Sequence, residues 1–365
     1  MSALRWEKYA SVADHAQARG WLEMQANLGL APNTVDAYGR ALEDYLGFSA
    51  AAGVDAAGAS REHVARWVNA LCQRPSAARA SVEDRARPVG LSNATIQQRL
   101  TAVRLFYDHL MLEGVRDQNP VGRGTYTPAR AFGFHGGQHE QRVRGLVRRF
   151  ETLPWIPTDE EWRMVVAMMR GESLRNRTMF ALSYDAALRR EELCGLEIRD
   201  VDVANRMLTV RAETTKGRRR TRVVPYGPHA GTLFAAYLHQ RRSLSRSPGP
   251  LFLSESNRNR AAPISIWTWS KVIERVAVRA GVPRFSTHTN RHLCLTDLAR
   301  SGWELFRIAS FAGHQDVRTT LKYIHLSGRD LAGPIARGMA QIHAWRAELL
   351  ADELDGLHGA AEVRQ

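Results

Sequence analysis

The sequence predicts a mainly α-helical protein of two domains, the second carrying a small β-sheet. Three observations carry that reading. The chain has 365 residues, enough for two domains at roughly 100 to 200 residues each. Apolar residues recur at helical spacing through its front and back parts. One stretch, RMLTVRAETTKGRRRTRVVPY, instead reads as two short strands around a polar turn.

The front elements come first. APNTVDAYGRALEDYLGFSAAAG opens with Pro32 and Asn33 as a helix cap and places Val35, Tyr38, Leu42, Tyr45 and Leu46 on one face, ending near Gly53. LSNATIQQRLTAVRLFYDHLMLEG does the same with Ile96, Leu100, Val103, Tyr107 and Leu110 and stops at Gly114. With pieces around Trp21 and from His63 to Leu71, these make a small helical domain over 13–118 behind a short extension, 1–12. The segment CQRPSAARASVEDRARPVG between them is a long basic loop, 74–91.

Residues 119–153 form a basic, glycine-rich linker that reads equally as a strand of charge along phosphates or as a solvated tether. The second domain, 154–348, opens at PTDEEW, where Thr158 and Glu161 have capping-box spacing. RNRTMFALSYDAALRREELCGL is helical, the two strands follow, and helices resume through Tyr323. The tail, 349–365, ends frayed. No internal repeat is present.

Lys plus Arg number 51 against 37 Asp plus Glu, a formal charge of +14. Such an excess points to a polyanion, nucleic acid first of all, against the plain alternative of a soluble protein from an arginine-rich proteome. The three cysteines stand far apart, without metal-ligand or disulfide spacing, so a reducing interior is expected. No segment approaches the ~20 apolar residues that span a bilayer, and the N-terminus lacks a signal-like apolar run. The expectation is a soluble, cytoplasmic, nucleoid-associated protein with no membrane partner.

Chemistry concentrates in the second domain. A tyrosine that attacks a phosphodiester must lose a proton held to pH ~10. It also needs cations on the two non-bridging oxygens and an acid for the departing oxygen. Arg189 follows a small-residue turn with Glu192 one helical turn on, placed to hold a guanidinium. Lys216 sits at the hairpin tip, His288 and Arg291 share a helix face at i, i+3, and His314 precedes Tyr323. Singly, each has an ordinary reading: a surface ion pair, a solvated lysine, a satisfied histidine, a packed tyrosine. Their common order is what sets those readings aside.

That order resembles the tyrosine recombinase, or phage integrase, family. AALRREEL is similar to its first arginine box, TKGRRRTRVVP to its β-hairpin lysine segment, HTNRH to its H-x-x-R box, and AGHQDVRTTLKYIH to its segment from L-G-H to the tyrosine. The intervals from Arg291 to His314 and on to Tyr323 are the family's. The front helices NTVDAYGRALEDYL and NATIQQRLTAVRLFYDHL resemble its core-binding domain. The resemblance therefore implies a helical SAM-like core-binding domain followed by a mixed α+β catalytic domain.

It further implies Tyr323 as nucleophile, Arg189 and Arg291 as the phosphate clamp and Lys216 as general acid for the 5′-oxygen. His288 and His314 handle and position protons, with Glu192 supporting them. The implied reaction is site-specific recombination of double-stranded DNA through a 3′-phosphotyrosyl link. It uses no cofactor, metal or ATP and is run by a homotetramer on paired sites, with accessory recombination proteins as further partners. An element-encoded integrase or transposase of simple architecture is expected, since nothing before residue 13 leaves room for an arm-binding domain; chromosome-dimer resolution is the alternative. Two other readings compete: a DNA-binding accessory protein of the same fold without the reaction, and a type IB topoisomerase-like nicking and closing enzyme. Three positions depart from the pattern. Ala187 replaces the usual glycine, Asn290 the leucine of H-x-L-R, and Ala312 the leucine of L-G-H. The hairpin between Lys216 and Pro225 is one residue longer than in compact bacterial members.

Overall fold

The computed structural model describes residues 4–74, 90–122, 146–148, 150, 153–214 and 220–327, the side chains of 324–327 excepted. It divides into two units, Met1–Thr152 and Leu153–Gln365.

The first unit is helical: α1 (Ala10–Asp14), α2 (Ala16–Asn27), α3 (Pro32–Ala51), α4 (Arg61–Gln73) and α5 (Asn93–Leu112). Ser60 and Ser92 cap α4 and α5 by accepting the backbone N–H three residues on. At α3 the cap expected from Asn33 is absent. Pro32 is the first helical residue instead, where its missing N–H costs nothing. α3 packs along α5, and Trp21, Leu42, Tyr45, Trp67, Phe106 and Tyr107 are fully enclosed. Tyr9, Val12 and Val121 join that core, and Leu146 and Val147 pack against it. The buried Tyr107 hydroxyl bonds the Ala56 carbonyl at 2.8 Å.

The second unit holds α6 (Asp159–Met169), α7 (Leu174–Asp185), α8 (Arg190–Cys194), α9 (Pro228–Leu244), α10 (Ile266–Arg279), α11 (Thr289–Arg300), α12 (Leu305–Ala312) and α13 (Arg318–Ser327). A three-stranded antiparallel sheet, β1 (Val201–Asp202), β2 (Met207–Val210) and β3 (Arg222–Pro225), has the order β1-β2-β3. β2 and β3 are the expected strands, in register with Val210 opposite Arg222. The Thr158 capping box is formed at both of its bonds.

The helix expected through AALRREEL is interrupted. α7 ends at Asp185 and α8 restarts at Arg190, and Ala187 between them takes a left-handed φ of 45°. α13 lies alongside α11, so the end of the chain's described part returns against the helix that carries Arg291. Among the described residues no helix is long and apolar enough to cross a membrane.

Candidate active site

Arg291 is in the first turn of α11 and is almost fully buried. A guanidinium out of water needs partners for its N–H groups. It finds them in two backbone carbonyls, Nη1 donating to Ala187 and Nη2 to Ala312, each at 2.6 Å. The first carbonyl belongs to the left-handed turn before Arg189, the second to the last residue of α12. One side chain thus joins three separate boxes of the sequence. Burial, with the charge of Arg189 beside it, pushes Arg291 down to about 10, so it stays a cation at neutral pH.

Glu192 forms the second node. Its carboxylate has no solvent exposure. It accepts from the Arg189 backbone N–H at 2.9 Å and from Arg189 Nη1 at 2.7 Å. From the other side, Arg222 of β3 donates Nη1 at 3.0 Å and Nη2 at 2.7 Å. Arg222 Nε reaches the Phe311 carbonyl at 3.1 Å, and Arg189 Nη2 the Gly313 carbonyl at 3.4 Å. Glu192 therefore holds guanidinium groups, as its spacing from Arg189 predicts, and its bonds go to these rather than to the histidines that the resemblance implies it supports. A carboxylate enclosed on α8 is best compensated by the strongest charged donors within reach. Gly313 is tied to the same cluster: its φ is 65°, and a Cβ there would meet Arg222 Nη1 at 3.0 Å and Cδ at 3.1 Å. The left-handed φ favours glycine, and any side chain there would press on Arg222.

Burial alone would raise the Glu192 carboxyl. The bonds and charge of Arg222, with those of Arg189, outweigh it and hold the group at about 2. Because the folded value lies below the ordinary 4.5, the stabilisation is complete above about pH 4.5 and is lost as pH falls toward about 2. It amounts to about 3 kcal/mol. Glu192→Gln should remove that acid-side slope and, at pH 7, lower unfolding free energy by about 3–5 kcal/mol, since two guanidinium groups are left facing each other. Denaturant titrations at several pH values check both; an unchanged slope would deny Glu192 this role.

Tyr323, on α13, is buried at 3 % exposure against Ala187, Cys294, Leu295, Ile308 and Ala312. The ring therefore does pack. Its hydroxyl lies 2.9 Å from Nδ1 of His292. Burial leaves the phenol above its ordinary value, and the charges of Arg291 and Arg189 with a hydrogen bond from Arg291 offset that only in part. His314 stacks on the tyrosine ring, centroids 6.0 Å apart and planes 6° from parallel, and its own Nδ1 pairs with the Thr320 hydroxyl at 2.8 Å. Burial and the surrounding arginines push His314 down to about 3. His288 caps α11 from its N-terminal end and is lowered by burial and by Arg190, Arg291 and Arg189, against Glu191. Its ring lies 6.5 Å from that of His292.

Arg189, Glu192, His288, Arg291, His314 and Tyr323 are thus brought into one cluster. Lys216 lies outside the described residues, as do its neighbours from 215 to 219. The same holds for most of loop 74–91, most of linker 119–153, and the end of the chain from 328. The departures have local accounts. Ala187 bears the strain a glycine would relieve, and its carbonyl is committed to Arg291. The buried Asn290 amide donates to Ser183 Oγ at 2.6 Å and to the Phe180 carbonyl at 3.4 Å. Ala312 supplies the second carbonyl. Two residues of the cluster went unread. Arg222 was one of several arginines in RRRTR, and His292 was only the last letter of HTNRH. The signal for His292 was its place beside Arg291; what it faces depends on where α13 lies.

Comparison with known proteins comes out as follows. Residues 154–329 match the phage integrase family, and residues 20–114 match the phage integrase N-terminal SAM-like domain. The chain is 30% identical over 309 residues to tyrosine recombinase XerC of Pelobacter propionicus, covering 84% of this chain and 89% of that one. It is 30% identical over 327 residues to tyrosine recombinase XerD of Caulobacter vibrioides, covering 87% and 94%. In fold it is similar to XerH site-specific recombinase bound to palindromic difH substrate in a post-cleavage complex, with a TM-score of 0.59 at 17% identity, over 86% of this chain and 80% of that one. A Tn1549 transposon integrase in complex with circular intermediate DNA gives a TM-score of 0.59 at 15% identity, over 82% and 92%.

Proposed function

This chain belongs to the phage integrase, or tyrosine recombinase, family, and on that premise we propose that Tyr323 is the nucleophile with which it cuts DNA. The protein is a site-specific recombinase that breaks and rejoins DNA. The observation that carries the assignment of Tyr323 is its hydroxyl, held beside a cluster whose arginines are fixed before any substrate arrives.

In the proposed reaction Arg291 and Arg189 grip the non-bridging oxygens of the scissile phosphate. Two of the five guanidinium N–H groups of Arg291 are committed to carbonyls, and donors remain for an anion. Tyr323 Oη attacks phosphorus, the bond to the 5′-oxygen breaks, and Lys216 protonates that oxygen. The energy of the phosphodiester is kept in the 3′-phosphotyrosyl link, so rejoining to a second strand needs no ATP. Exchange between two sites takes four protomers. Integration, excision and resolution differ in where those sites lie rather than in this chemistry.

The test is to incubate the protein with DNA from the flanks of its own gene in the presence of EDTA and resolve the products in SDS. A denaturant-resistant protein–DNA adduct is expected. Tight binding with no adduct from any fragment would favour the accessory-protein reading. Adducts and relaxation on DNA of any sequence, without exchange between sites, would favour a topoisomerase.

A further inference from the structure

The Tyr323 hydroxyl lies 2.9 Å from Nδ1 of His292, and it is also bonded by Arg291, whose guanidinium can donate but cannot accept a proton. His314 does not take the place of His292 in this arrangement. Its ring runs nearly parallel to the tyrosine ring, offset from it with the centroids 6.0 Å apart. Its Nδ1 is also engaged by Thr320. His288 sits a helical turn before His292, its ring 6.5 Å from that of His292. Arg291 and His292 are neighbours on α11 and both reach the phenol, Arg291 while spanning the two carbonyls and His292 from the face on which α13 lies.

We propose that His292 is a further catalytic residue, the acceptor of the proton that Tyr323 loses on attack. The inference rests on Tyr323 being the nucleophile. The step balances as follows. The Oη–H bond breaks and its proton passes to Nδ1, the Oη–P bond forms, and the P–O5′ bond breaks with its electron pair going to O5′. O5′ takes a proton from Lys216. On religation the 5′-hydroxyl gives its proton back to Lys216 as it attacks phosphorus, the Oη–P bond breaks, and the imidazolium returns its proton to Oη. Two features fit the role. Burial, with His288 and Arg291 nearby, pushes His292 down to about 4, so the ring meets substrate with a free lone pair. The arriving phosphodiester adds negative charge and raises the ring's basicity when it is needed.

The test uses the full-length protein and nicked DNA bearing the cleavage position mapped with the unmodified enzyme, followed by single-turnover adduct formation. His292→Asn keeps an acceptor oxygen near the position of Nδ1 but has no useful basicity. It should fold and bind DNA like the parent and cleave ~10²-fold or more slower. His292→Ala should be equally slow and regain rate with added imidazole. Replacing the 5′-bridging oxygen by sulfur gives a leaving group that needs no proton. It should restore Lys216→Ala and leave His292→Asn slow. Cleavage by His292→Asn at the parent rate would overturn the proposal, because a hydrogen bond alone would then suffice. Rescue of His292→Asn by sulfur would overturn it too, by moving the defect to the leaving group. If His292→Ala does not fold, His292→Asn decides. Failure of the unmodified enzyme to form any adduct would instead count against Tyr323 as nucleophile.

Discussion

Tyr323→Phe should bind DNA as the parent does and form no covalent adduct on any substrate. The change removes a single oxygen. The ring stays packed against Ala187, Leu295, Ile308 and Ala312, so the helix that carries it keeps its seat. Affinity derives mainly from cations on phosphates, none of which is touched. The lost hydrogen bond to His292 is worth about 1 kcal/mol, too little to disturb the fold. The attacking atom is gone, so adduct formation should fall below detection rather than slow. Gel-shift titration and SDS-resistant adducts measured on the same preparation separate the two effects. A remaining adduct would force another nucleophile, and loss of binding would mean that the tyrosine is structural.

Arg291→Ala is expected to fail in two ways at once. Catalytically it removes half of the phosphate clamp, an effect of ~10²–10³ in rate for one well-placed donor group. Structurally it strands the Ala187 and Ala312 carbonyls, at about 1–3 kcal/mol for each buried acceptor left alone. Arg291→Lys should rescue little, because one ammonium on a flexible stem does not reproduce a planar fork that spans two carbonyls and still faces an anion. Single-turnover cleavage and thermal unfolding of both variants check this. Cleavage within tenfold of the parent would remove Arg291 from the clamp. Lost cleavage with unchanged stability would show that the carbonyl bonds contribute little to the fold.

The site was legible where its residues lie at fixed spacing in short motifs. Arg189 with Glu192, and His288 with Arg291, are one helical turn apart, a relation that sequence states directly. The antiparallel pair β2–β3 and the Thr158 capping box were legible for the same reason, being local. What could not be read were partnerships across the chain. Glu192 pairs with Arg222 thirty positions away, and nothing local distinguishes Arg222 from Arg218, Arg219 or Arg220. His292 faces Tyr323 only because α13 lies against α11, a matter of tertiary packing. The helix expected through AALRREEL broke at Ala187 because a long-range demand, a carbonyl for Arg291, overrides the local preference of alanine for the right-handed region. The supposed Asn33 cap failed because a proline one residue earlier already starts the helix.

The two arginines of the clamp are held differently, and that sets the charge of the cluster. Arg189 and Arg222 share the Glu192 carboxylate, whereas Arg291 is fixed by neutral carbonyls and surrenders none of its charge. Among the described residues, three guanidinium groups meet one carboxylate in this cluster, a positive surplus to which Lys216 adds in its proposed role. A phosphodiester at rest carries one negative charge, and the five-coordinate phosphorus formed by attack of a phenolate carries two. The cluster is therefore in positive surplus over the bound strand, and the negative charge that builds on the phosphoryl oxygens during attack meets cations already in place. Its electrostatics favour the transition state over the DNA it first meets.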